Sequence, residues 1–235
     1  MPRKPRFFLP GYATHVIQRG NNRQPIFWED GDYRCYLSIL GQAREKYGCA
    51  IHAYVLMSNH AHLLVTPAEK TSISRMMQYV GRLFVPYINK KYGRTGTLWE
   101  GRFKASIVDN TKYALACYRY IELNPVRAGM VQKSLDYRWS SHLHNAYGVD
   151  NELLTPHRAY SSLGVSLDQR TMSYRSLFNQ TCEEAELSLI RNYVQSGTPL
   201  GEGRFCAEVK SLLSRDLGLP GRGRPQKCRD MEKGL

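Results

Sequence analysis

Apolar and polar positions alternate through YATHVIQRG with the period of two that marks a strand, which closes at Gly20 before a polar loop, NNRQPIF. From about Glu29 to Tyr47 the period changes: Tyr33, Tyr36, Leu37, Leu40 and Ala43 recur at helical spacing, and Gly48 follows as a stop. CAIHAYVLM and HAHLLVTP read as two strands joined by a tight Ser58-Asn59 connection, the second closed by Pro67, so a hairpin is expected. Between about Ser72 and Lys91 a stripe of Ile73, Met76, Met77, Val80, Leu83, Phe84, Tyr87 and Ile88 marks a long helix, with a bend expected at Pro86. TLWEGRFKASIVD is strand-like around Gly101. A further helix runs from Lys112 to Leu123 and should end near Asn124, because Pro125 biases its predecessor away from helical geometry.

The order is strand, helix, strand, strand, helix, strand, helix. It predicts an α+β fold, a ferredoxin-like split βαβ antiparallel sheet with an added helix at its C-terminal end that carries tyrosines. After about residue 135 the chain becomes loop-rich in WSSHLHNAYG and LLTPHRAYSSLG, with helices expected around Glu183 to Val194 and Phe205 to Ser214. The division expected is therefore 1–135 as one domain and 136–235 as a helical and irregular extension. Its last stretch, LPGRGRPQKCRDMEKGL, has a composition that disfavours a packed structure of its own.

Charge sharpens this picture. The 235 residues carry a formal net charge of +13, and the excess is uneven: residues 1–130 hold 19 basic against 8 acidic side chains, residues 131–235 hold 14 against 12. A surface of that sign attracts polyanions, nucleic acid first among them. The six cysteines show no zinc-like spacing, no apolar run approaches the roughly 20 residues of a membrane span, and the basic, proline-bearing start MPRKPRFFLPG lacks an apolar targeting core. A reduced, cytoplasmic protein is expected, associated with the nucleoid when bound to DNA.

The chemistry lies in MSNHAHLLV. His60 and His62 share one face of their strand, while Ala61, Leu63 and Val65 share the other, so one face reads as core and the other as a site. Two neutral imidazoles so placed suit a divalent ion that finds an oxygen or amide ligand elsewhere, although a bare pair of this spacing is more often simply hydrogen-bonded. The second stretch is YRYIELNPVRAG. Tyr120 and Asn124 are four apart on a helix and share a face; Asn124 offers an amide oxygen, and the Tyr120 phenol can serve as a nucleophile. With 16 tyrosines in the chain, Tyr113 and Tyr118 are its nearest rivals.

Taken together, THVIQRGNNRQPIF, AYVLMSNHAHLLV, LWEGRFKAS and YRYIELNPVRAGMV resemble the REP-associated tyrosine transposases and their relatives, the single-tyrosine insertion-sequence transposases of the HUH endonuclease superfamily. The resemblance covers roughly residues 8–135. It matches His60 and His62 to the HUH pair, Tyr120 to the nucleophile and Asn124 to the third ligand, where the insertion-sequence branch usually has Gln and the REP-associated branch Asn. It implies a Mg²⁺ or Mn²⁺ site at His60, His62 and Asn124, although two imidazoles also accept Zn²⁺. It implies too that Tyr120 attacks the scissile phosphate of single-stranded hairpin DNA, leaving a 5′-phosphotyrosine and a free 3′-OH.

Arg19, Arg23, Arg102, Lys104, Arg119 and Arg127 lie in or beside these motifs and are expected at phosphates or bases, with Arg3, Lys4 and Arg6 as a basic arm. Arg222 and Arg224, in an Arg-Gly-Arg-Pro run, are similar to the core of a minor-groove hook. Two other readings stay open, a hairpin-binding protein that does not cut and a rolling-circle initiator or relaxase. Both a monomer and a homodimer fit these residues.

Overall fold

A computed structural model describes residues 6, 8–109, 113–179 and 184–213. Four strands form one antiparallel sheet: β1 (Thr14–Arg19), β2 (Cys49–Met57), β3 (His60–Pro67) and β4 (Lys104–Ile107), in the spatial order β2-β3-β1-β4. Helix α1 (Asp30–Lys46) links β1 to β2, and α2 (Ser72–Lys91) links β3 to β4. This is the split βαβ arrangement that the element order predicts. The two-residue Ser58-Asn59 connection forces β2 and β3 side by side, whereas β1 slots in beside β3 through the intervening helix.

Register decides what each face holds. Val16 lies opposite Leu63 and Gln18 opposite Ala61, while His15 lies opposite Leu64, Ile17 opposite His62 and Arg19 opposite His60. Paired residues share a face. The first set belongs to a core in which Val16, Ala61, Leu63 and Val65 pack against Tyr36 and Leu40 of α1 and Met76, Val80 and Phe84 of α2. In α2 the stripe is narrower than its sequence suggests, since Leu83 is 38% exposed, and the helix is continuous through Pro86.

The other face is not an open chemical surface. It is covered by α3 (Ala114–Glu122) and by the chain that follows: α4 (Asn124–Arg127), α5 (His142–Tyr147), α6 (Arg158–Ser161), α7 (Leu167–Phe178) and α8 (Glu184–Ser196), whereas Phe205 and Val209 of α9 (Gly203–Leu213) form a small separate cluster with Leu9 and Ile107. Ala53, Val55 and Leu64 of the sheet, Tyr118, Tyr120 and Ile121 of α3, and Tyr160, Tyr174 and Ile190 of the extension form a single second core.

Three details depart from expectation. Strand structure does not centre on Gly101: β4 starts at Lys104, and the Gly101 carbonyl accepts from the Gln18 side chain at 3.1 Å instead of joining a ladder. α3 ends at Glu122, near the expected stop, but Asn124 is itself helical, because Pro125 sits in the first turn of α4, where its missing N–H leaves no bond unmade. The stretches read as loops contain α5 and α6, and α7 was not anticipated: its Ser166-Gln169 capping box is clear, but only Thr171 and Tyr174 of its length are buried, so its sequence carries little apolar periodicity. Lys112, the Arg3 and Lys4 of the basic arm, and the tail with Arg222 and Arg224 lie outside the described residues. Among the described residues, no helix is long and apolar enough to cross a membrane, and Cys35, Cys49, Cys117 and Cys206 are free thiols.

Candidate functional site

The hairpin turn delivers both histidines. His60 opens β3 and His62 follows two residues on, on the α3 face, with ring centroids 4.9 Å apart; Ala61 between them is buried in the opposite core. Each ring uses Nδ1 internally. That of His60 meets Asn59 Oδ1 at 2.6 Å, and that of His62 meets Nε2 of His15 at 2.9 Å. In both rings Nε2 remains for a ligand, the arrangement in which a partner on one nitrogen orients the other toward a metal.

Burial disfavours the charged imidazole, and nearby guanidinium groups add to the effect. His60 is lowered to about 4 by desolvation and then by Arg19. His62 is pushed well below its ordinary 6.5 by burial, with His60, His15, Arg127 and Arg19 contributing. Both rings are therefore neutral near pH 7, as ligation requires.

Helix α3 brings Tyr120 to this pair. Its ring centroid stands 5.8 Å from that of His62 and 5.6 Å from that of His15. Arg127 packs its guanidinium 4.3 Å from the Tyr120 ring centre, and its Nη2 donates to the Tyr120 carbonyl at 2.8 Å. Asn124 donates its amide nitrogen to the carbonyls of Tyr120 at 2.9 Å and Ile121 at 3.1 Å, which leaves its Oδ1 as the atom for other partners. Among the rivals, Tyr118 is fully buried and its hydroxyl accepts from the His157 backbone, whereas Tyr113 precedes α3.

Imidazole nitrogens and an amide oxygen are donor types that a divalent cation accepts, and among the described residues no group of three His, Cys, Asp or Glu side chains could hold a metal.

The basic residues divide. Arg19 pairs across from His60, Arg127 of α4 packs on Tyr120, and Arg119 is buried on α3. Arg23 follows Asn22 in a left-handed turn, φ 58° and 51°, and its carbonyl accepts from Asn59 Nδ2 at 3.0 Å, so this strained loop braces the residue that holds His60. Arg6, Arg102 and Lys104 gather near the start of β4: Arg6 lies 3.8 Å over the Phe103 ring, lowered to about 10 by burial and by Arg102, and Lys104 donates to Gln195. His15 is the residue the sequence reading missed. Its signal was present, a lone histidine on the same strand phase as Arg19, but the register that sets it beside His62 joins strands 40 residues apart.

Residues 9–124 match the family model described as IS200-like transposases. The fold is similar to that of a REP-associated tyrosine transposase bound to a REP hairpin, with 21% identity, a TM-score of 0.54, and coverage of 64% of this chain and 89% of that one. A Deinococcus radiodurans protein described as a possible transposase matches with 19% identity and a TM-score of 0.37, over 52% of this chain and 96% of its own. No curated protein matches the chain.

Proposed function

Because residues 9–124 belong to the IS200-like transposase family, we propose that the chain is an endonuclease and strand transferase acting on single-stranded DNA beside a hairpin, such as a REP element or a transposon end. The observation that carries this reading is the Tyr120 ring beside His62 of the same chain. His60, His62 and Asn124 would hold Mg²⁺ or Mn²⁺, which supplies Lewis-acid stabilisation of charge on the phosphate oxygens. Tyr120 is then the nucleophile, forming a 5′-phosphotyrosine and releasing a 3′-OH. Phosphodiester energy is kept in the protein–DNA bond, so rejoining needs no nucleotide cofactor.

Arg127 has two tasks in this scheme: it fixes the Tyr120 ring and backbone, and its charge favours an incoming phosphate. Arg19, Arg23 and Arg119 would hold the strand near the site, and Arg6, Arg102 and Lys104 would extend the basic track along β4, joined by Arg3, Lys4, Arg222 and Arg224. Incubating end-labelled hairpin DNA bearing a single-stranded flank with the protein and Mg²⁺ should give a covalent adduct stable to denaturant. Tyr120→Phe should bind the DNA but yield no adduct, and a chelator should abolish the adduct of the unaltered protein. Binding with no adduct under any of these conditions would leave a hairpin-binding protein instead.

A further inference from the structure

We propose that Glu122 is a positioning residue, the anchor by which the C-terminal extension clamps the nucleophile helix over the histidine pair; this rests on the reading of Tyr120 as the nucleophile. Two residues further along α3, Glu122 is turned about 200° from Tyr120 around the helix axis. Tyr120 faces the imidazoles, and Glu122 faces the extension.

The carboxylate has no exposure to solvent, which is unfavourable unless every lone pair is used. Among the described residues its four side-chain donors all come from beyond residues 9–124, the span of the family match. Ser141 Oγ at 2.5 Å and Asn145 Nδ2 at 2.7 Å donate to Oε1. Tyr174 Oη at 2.8 Å and His142 Nδ1 at 3.0 Å donate to Oε2. These donors fill the roughly four acceptor positions of a carboxylate.

The clamp is also tied to the sheet. Ser141 Oγ accepts from the Tyr54 backbone N–H at 2.9 Å, and the Ser141 N–H donates to the Tyr54 carbonyl at 3.0 Å. Tyr54 lies on β2, directly beside the strand that carries the histidines. One short chain of bonds thus runs from β2 through Ser141 to Glu122, and it fixes the height and rotation of α3 above β3. Those two coordinates set how far the Tyr120 oxygen stands from His60 and His62. A carboxylate that only fills a buried space would show no such dependence.

Tyr174→Phe removes one donor with little change in shape, and Glu122→Gln removes the charge. In the full chain, hairpin-DNA binding should stay within about twofold for both, while the rate of adduct formation falls by at least about tenfold, since a small misplacement of a reacting group is costly. Amide hydrogen exchange should quicken in α3 and stay unchanged in β1 and β3. Unchanged α3 exchange with an unchanged adduct rate overturns the clamp, as does exchange that rises evenly over the whole sheet. Should Glu122→Gln fail to fold, Tyr174→Phe decides. If the unaltered protein forms no adduct, the nuclease reading fails, and α3 exchange in Tyr174→Phe still tests the clamp.

Discussion

His62 can bind a cation through Nε2 only if its proton sits on Nδ1 and is donated to Nε2 of His15. His15 must then carry its own proton on Nδ1, an atom that has no hydrogen-bond partner among the described residues, in a ring only 1% exposed. An unmade buried bond of this kind costs about 1–3 kcal/mol, so the fold keeps this pairing at some expense of stability. Replacing the ring should release His62 from its orientation: His15→Ala is expected to weaken Mn²⁺ binding by about 10–100-fold, read by calorimetry without DNA. His15→Gln, which retains an acceptor, should lose less. Equal affinity in His15→Ala and the unaltered protein would remove His15 from the site. The same burial makes the folded chain sensitive to acid. His15 is lowered to about 3 and His52, His60 and His157 to about 4, each by desolvation first. Between about pH 6.5 and about 4 the unfolded chain takes up protons on these rings and the folded chain does not, so stability falls as pH falls through that window, by at most about 1.4 kcal/mol per pH unit for each fully buried ring. Urea unfolding at pH 7, 6, 5 and 4 measures the slope. In His52→Asn, which lies away from the histidine pair on Thr66 and the Thr155 carbonyl, the slope should drop by about one proton. A flat profile from pH 7 to 4 contradicts the assignment of neutral buried rings.

Among the elements, legibility followed local period. β1, β2, β3, α1 and α2 carry the alternation or the 3.6-residue stripe over enough length to be read directly, and the pairing of His60 with His62 follows from alternation within one strand. The α3 region was legible as a helix bearing Tyr120, but its junction with α4 was not, because Pro125 reads as a stop in sequence while it serves as a first-turn residue in space. α5 and α6 span 6 and 4 residues, too short for helical propensity to show or to stabilise them. Tertiary bonds hold them: Tyr160 of α6 donates to the Asn145 carbonyl of α5 at 2.7 Å, and Arg175 of α7 donates to the Ala146 carbonyl at 2.6 Å. Such bonds have no trace in a local pattern. Neither does the contact of His15 with His62, nor the gathering of Ser141, His142, Asn145 and Tyr174 around Glu122, since each depends on register or docking across long separations.

At the scale of the whole chain, the change of character near residue 135 separates two kinds of sequence that nevertheless share interior surface. The segment after it closes both edges of the sheet. On β2 the Leu56 N–H donates to the Trp139 carbonyl at 2.9 Å and the Thr155 N–H to the Ile51 carbonyl at 2.7 Å; on the β4 side the Leu200 N–H donates to the Ile107 carbonyl at 2.7 Å and the Asp109 N–H to the Leu200 carbonyl at 2.8 Å. Open strand edges are templates for pairing between chains, and natural sheets cover or blunt them. A fragment ending at residue 135 would bare both edges, uncover the apolar layer of Tyr118 and Ile121 above the sheet, and leave the Glu122 carboxylate without its four donors. The strong positive charge of the first 130 residues opposes association but satisfies none of those groups. Expressed alone, residues 1–135 should therefore associate or form a loosely packed state, seen as early elution in gel filtration and a collapsed near-ultraviolet circular dichroism signal, although every proposed ligand and the nucleophile are present in the fragment. A monomeric fragment with a sharp, cooperative unfolding transition would show instead that the extension is an addition to a fold already complete, and that the nucleophile helix keeps its place without it.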